Sequence, residues 1–129
     1  MQILQPPAWA RAKGFSNGIA ASGRLVFIAG QIGWTGQGKW EARDFGSQFK
    51  QTIKNILDVL AEAGGKPEHI VRLTWYVLDK QEYLSSLKEV GAAYRELMGR
   101  HYPTMAVVQV SGLVEDEARL EIEATAVVP

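Results

Sequence analysis

Cysteine is absent from the 129 residues. That excludes disulfides, thiol catalysis and thiolate metal sites together, and it fits a reducing, cytoplasmic setting. Histidine is nearly absent: His69 and His101 are the two present, without a companion ligand pattern, so both read as surface residues and no metal site is expected. Charge of one sign is not in excess either. Lys plus Arg number 14 and Asp plus Glu number 14, for a net charge of zero. A nucleic-acid binder usually carries a basic surplus, so no nucleic-acid partner is expected. No apolar run approaches the ~20 residues that cross a bilayer, and the opening Met1-Gln-Ile-Leu-Gln-Pro-Pro7 has neither the basic start nor the apolar core of a signal peptide. No dinucleotide fingerprint, P-loop or nucleophile elbow occurs. What remains is a chain long enough to bury roughly two thirds of its unfolded surface without staples, with a small molecule as its expected partner.

What is present reads as alternating elements. Arg24–Ala29 is a short apolar run with β-branched and aromatic members, the mark of a buried strand. A loop with four glycines follows over 30–38. Asp44 is placed to cap a helix whose apolar stripe is Phe45, Phe49, Ile53, Ile56, Leu57, Leu60 and Ala63, and Gly64-Gly65 stops it. Over Ile70–Leu78 the side chains alternate, with Val71, Leu73, Trp75 and Val77 on one face and Arg72, Thr74 and Tyr76 on the other. Asp79 opens a second helix that runs to Gly99. Strands at 105–110 and 120–128 follow, and Gly18–Ala21 suggests a small extra strand. The order gives an α+β fold of residues 1–129 as one domain, with two helices on one face of a mixed or antiparallel sheet.

The last strand implies a partner for that sheet. Leu120, Ile122, Ala124, Ala126 and Val128 point one way, toward the helices; Glu121, Glu123, Thr125 and Val127 point the other. Two helices cannot cover both faces, and monomers rarely leave a half-apolar face open. Symmetric self-association is the usual solution; a solvated face with scattered apolar residues is the alternative.

Several segments carry a family likeness: Phe15-Ser-Asn-Gly-Ile19, Leu25-Val-Phe-Ile-Ala-Gly-Gln-Ile-Gly33, Leu60-Ala-Glu-Ala-Gly-Gly65, Tyr102-Pro-Thr-Met-Ala-Val-Val-Gln-Val110 and Leu120-Glu-Ile-Glu-Ala-Thr-Ala-Val127. In this order and spacing they resemble the YjgF/RidA family, also labelled endoribonuclease L-PSP, over essentially the whole chain. The resemblance implies a chorismate-mutase-like (ferredoxin-like) sheet with two helices on one face. It implies a homotrimer whose sheets pack into a central barrel, with ligand clefts between neighbouring subunits. It further implies hydrolysis of reactive imines and enamines, such as 2-aminoacrylate, to ketoacids and ammonia, with no cofactor and no metal.

Carried over residue by residue, the likeness is incomplete. Active family deaminases have an arginine that grips the substrate carboxylate through paired hydrogen bonds; the matching position here is Met105. The frequent cysteine two residues on is Val107, and the tyrosine near the start is Phe15. Gly30, Gln31 and Glu121 match, and the resemblance implies that this glutamate positions or activates the attacking water. Without the resemblance, Glu121 is an exposed-face carboxylate much like Glu123, Gly30 and Gln31 are turn residues, and Met105 fills an apolar gap. Trp34 and Trp40 flank the glycine loop as packing lids or as walls for a planar ligand. Arg11, Lys13, Arg24 and Arg72 are each candidates for the missing cation. The expected function is cofactor-free deamination of an enamine or imine outside the usual 2-aminoacrylate niche, on a larger acid such as the 2-aminomuconate handled by some relatives. A non-catalytic small-metabolite binder is the alternative. RNA cleavage, which the older label suggests, conflicts with the zero net charge and the lack of a histidine pair.

Overall fold

The computed structural model describes residues 1–129. Strands β1 (Gln2–Leu4) and β2 (Gly18–Ala20) pair antiparallel as a small ribbon. The main sheet comprises β3 (Arg24–Gln31), β4 (Ile70–Val77), β5 (Thr104–Gln109) and β6 (Leu120–Val128), in the order β3-β6-β4-β5. β6 runs antiparallel to both its neighbours, whereas β4 and β5 are parallel. A parallel pair needs a long crossover, and here α2 (Lys80–Ser85) and α3 (Leu87–Met98) supply it. With α1 (Phe45–Glu62) they lie against one face, so the fold is α+β with a mixed sheet.

The apolar stripe of α1 is the centre of the core. Phe49, Ile53, Ile56 and Leu60 are fully enclosed, and so are Leu73 and Val77 of β4 and Leu120 and Ile122 of β6. Fully burying each such side chain is worth about 1.5–3 kcal/mol. The helix starts where Asp44 accepts a 2.8 Å hydrogen bond from the Ser47 N–H. It stops at Ala63, after which Gly64 takes a φ of 74° that other residues resist.

Two details depart from the sequence pattern. The helix expected from Asp79 to Gly99 is broken at Ser86. The Ser85 and Ser86 hydroxyls both donate to the Glu82 carbonyl, at 3.1 and 2.7 Å; this local bonding competes with the helical ladder. In β4 the register against β6 slips between Ile70 and Arg72. Ile70 therefore takes the fully buried position while Val71 turns to the opposite face with Arg72, a β-bulge that strict alternation misses.

The face away from the helices is uncovered. Leu25 is 63% exposed and Phe27 75% exposed there. No helix is long and apolar enough to cross a membrane.

Candidate functional site

The matched glutamate lies on this open face. β6 alternates as the sequence suggests: Leu120, Ile122 and Ala124 are buried under the helices, and Glu121 and Glu123 point out. Glu121 sits opposite Tyr76 of β4 on one side and packs against Gly30 of β3 on the other. A Cβ built on Gly30 would lie 2.9 Å from the Glu121 Cδ and closer still to Oε2. Glycine is thus the residue that leaves room for this carboxylate, at a point where the β3–β6 register is irregular between Ile28 and Gln31.

A second carboxylate, Glu123, is already engaged. It accepts a 2.8 Å hydrogen bond from the Tyr76 hydroxyl. That bond is the largest reason the Tyr76 phenol is held above its ordinary pKa; the negative charges of Glu123 and Glu121 add to it and Arg72 opposes them. Tyr76, Glu123, Arg72, Thr74 and Phe27 line an open concavity of about 670 Å³. Glu121 has no hydrogen-bond partner in the chain and Glu123 has one, so pattern-alike carboxylates differ in availability.

Gln31 and Trp34 lie elsewhere. The Gln31 Nε2 donates to the Ala29 carbonyl at 3.1 Å, and with Trp34, Asn55 and Asp58 it lines a separate cleft of about 340 Å³ beside the glycine loop. Trp34 and Trp40 pack with ring centroids 5.9 Å apart, as lids of that loop. The loop is held by residues that the sequence reading passes over. Asn55 Nδ2 donates to the Ile32 and Trp34 carbonyls, at 3.1 and 2.8 Å. Gln48, 1% exposed, holds the segment before β6 instead: it donates to the Glu117 carbonyl and accepts from the Arg119 N–H, each at 2.9 Å. Their signal is visible in retrospect: Gln48, Thr52 and Asn55 are polar residues in helical spacing on a buried face, and buried polar groups need specific partners.

Met105 and Val107 project from β5 toward the helices and pack against the core. Met105 borders a cavity of about 220 Å³ between β4, β5, α2 and α3. Phe15, 40% exposed, is flanked by Gly14, which lines this cavity, and by Ser16, whose N–H donates to the Pro103 carbonyl at 3.1 Å. Of the cations proposed for the missing arginine, Arg24 donates to the Ala63 carbonyl at 2.7 Å, and Arg72 shares the outer concavity with Glu123. Arg95, which the sequence reading does not name, lines the Met105 cavity itself. The histidines serve structure: His69 Nδ1 accepts from the Lys66 N–H at 2.9 Å, and His101 Nε2 lies 2.6 Å from the Ile70 carbonyl.

The candidate residues therefore occupy three places. Gly30 and Glu121 meet on the open face, Gln31 and Trp34 flank the glycine loop, and Met105 and Val107, with Phe15 nearby in the chain, belong to the helix side. Within one chain, Glu121 and Met105 stand on opposite faces of the sheet.

A family model described as Endoribonuclease L-PSP matches residues 6–128. The chain belongs to this family, the YjgF/RidA family. Among relatives, a RutC family protein of Pyrococcus abyssi is 33% identical over 105 residues, 81% of this chain and 79% of the relative. The 2-iminobutanoate/2-iminopropanoate deaminase of Salmonella typhimurium is 31% identical over 108 residues, 81% of this chain and 80% of its own length. Among solved structures, the Rid-family protein YyfB of Yersinia pestis, described as of unknown function, superposes with a TM-score of 0.87 at 29% identity, covering 98% of both chains. RidA from an Antarctic Psychrobacter gives 0.70 at 26% identity, covering 99% of this chain and 100% of that one. Homologues of this YjgF/RidA chain thus include named imine deaminases, and its fold is the family's.

Proposed function

We propose that this chain is a hydrolytic deaminase of reactive imines and enamines that works as a homotrimer of single RidA-like domains. Its cleft is built where the partner subunit's Glu121 faces the Met105 cavity. The observation that carries this reading is the Gly30–Glu121 contact, in which glycine leaves space for a carboxylate with no partner in its own chain. The opposite-face placement of Glu121 and Met105 supports a cleft shared by two copies, and the names of the relatives support the reaction class. An enamine first tautomerises to the imine. Water then adds to the imine carbon, a proton passes to nitrogen, and the carbinolamine releases ammonia to leave a ketoacid. One carboxyl can take the proton from water and return it to the leaving nitrogen, and positioned proton transfer typically contributes ~10²–10⁴-fold.

Met105 in the place of arginine argues for a substrate outside the 2-aminoacrylate niche, and it equally favours a second reading, a binder without turnover. Stopped-flow decay of imines generated in situ separates the two. The deaminase reading expects acceleration by wild type and a loss of ~10²–10⁴-fold in Glu121→Gln with ligand affinity retained. No acceleration of any imine, together with calorimetric binding of the parent ketoacids, establishes the binder.

A further inference from the structure

The cavity beside Met105 has walls that the deaminase reading leaves unused. Trp75, Tyr83, Tyr94 and Tyr102 give it four aromatic faces, and Leu87 and Met105 complete its apolar lining. These rings are held in place. Trp75 stacks on Phe49 at 4.9 Å and meets Tyr83 edge-on at 5.8 Å. Tyr94 and Tyr102 stack at 5.4 Å with their planes 5° apart, and the Tyr94 hydroxyl donates to the His101 carbonyl at 2.6 Å. Rigid, pre-placed walls lose little freedom when a ligand arrives. An apolar cavity of roughly 150 Å³ accepts benzene, so about 220 Å³ takes an aromatic ring with a short chain.

One polar feature singles out a ligand. Arg95 stands at the cavity from the last turn of α3, and its guanidinium makes no hydrogen bond or ion pair within the chain. It folds back over Gly91, where a Cβ would lie 3.5 Å from Nη1. Arg72 lies on the outer face, in a concavity that it shares with Glu123, whose charge disfavours an anion.

We propose that this cavity is the side-chain pocket for an aryl-bearing 2-imino or 2-oxo acid, with Arg95 as the carboxylate anchor in place of the arginine missing at 105. The inference rests on the deaminase reading for the acid's functional group, since the relatives' names specify 2-imino acids, and on the cavity alone for the aromatic ring. A planar guanidinium pairs a carboxylate through two parallel hydrogen bonds.

Calorimetry with two stable ketoacids, phenylpyruvate and 2-oxobutanoate, tests this on the whole protein. The expected result is at least about tenfold tighter binding of phenylpyruvate. Arg95→Gln should weaken both acids by about 10–100-fold, the loss of a charge-assisted pair, while Arg72→Gln changes neither. Leu87→Trp, at a half-exposed position that folding tolerates, should fill the pocket and abolish the aryl preference while sparing 2-oxobutanoate. Equal affinity for the two acids, or weakening by Arg72→Gln and not by Arg95→Gln, overturns the proposal. Hydrolysis of small imines without an aryl preference sinks the pocket and spares the deaminase reading. Tight phenylpyruvate binding without turnover of any imine does the reverse.

Discussion

At the scale of single residues, Gly30 is the position whose replacement is most informative. Its backbone is not in the left-handed region, so alanine is tolerated by φ, and the nearest atoms an added Cβ meets are those of the Glu121 side chain. Overpacking of this kind costs about 1–3 kcal/mol when neighbours cannot yield, but Glu121 is a flexible side chain at an open face. Gly30→Ala should therefore leave the melting temperature within a few degrees of wild type while displacing the carboxylate. Imine hydrolysis should fall by about tenfold or more, where each decade is 1.36 kcal/mol. An unchanged rate would show that the position of this carboxylate does not matter. The pairing of Gly30 with Glu121 is legible in the sequence only through the family likeness, because no spacing rule joins residues so far apart in the chain. Arg95 is not legible at all. It follows an amphipathic pattern as an ordinary exposed helix residue, and only the tertiary placement of α3 against β5 puts it beside Met105.

At the scale of elements, the caps are what composition reads best. Asp44 holds the Ser47 N–H, and these hydrogen bonds, side-chain then backbone, keep its carboxyl below the ordinary value of 3.8. Arg119 adds a smaller pull in the same direction, against a small effect of burial. A carboxyl with a depressed folded pKa stabilises the fold above its unfolded pKa, and that contribution is lost as pH falls through the folded one. Asp44→Ala should cost about 0.5–2 kcal/mol at pH 7, and urea denaturation should show the gap to wild type closing below about pH 4. A gap that stays constant with pH would mean the loss comes from packing. Helix α1, its glycine stop and strands β3, β5 and β6 all follow from apolar period and turn residues. The break at Ser86 and the bulge at Val71 do not, because each depends on a local hydrogen-bond choice or a register slip invisible to a periodic pattern. β1 escapes for a different reason: Gln2, Ile3 and Leu4 are too few to show a period of two, and only pairing with β2 makes them a strand.

At the scale of the whole molecule, the uncovered sheet face and the split site make one joint prediction. Leu25 and Phe27 on β3 and Val108 on β5, 42% exposed, line a face that one chain leaves in water, and burying large apolar side chains is worth about 1.5–3 kcal/mol each. Light scattering at micromolar concentration should give three times the 14.2 kDa chain mass, and Phe27→Glu should shift it to the single-chain value. Assembly alone does not prove that the cleft is shared, and subunit mixing does. Glu121→Gln removes the proton carrier, and Met105→Trp blocks the cavity; each homotrimer should be nearly inactive. If a cleft takes Glu121 from one subunit and the cavity from the next, trimers reassembled from a mixture contain some clefts with both halves intact, and activity should return above that of either parent. If both halves belong to one chain, every cleft in every mixed trimer carries one defect, and no activity returns. The first outcome is the one expected if Glu121 and Met105 serve one reaction, because they stand on opposite faces of the same sheet, on β6 and on the edge strand β5.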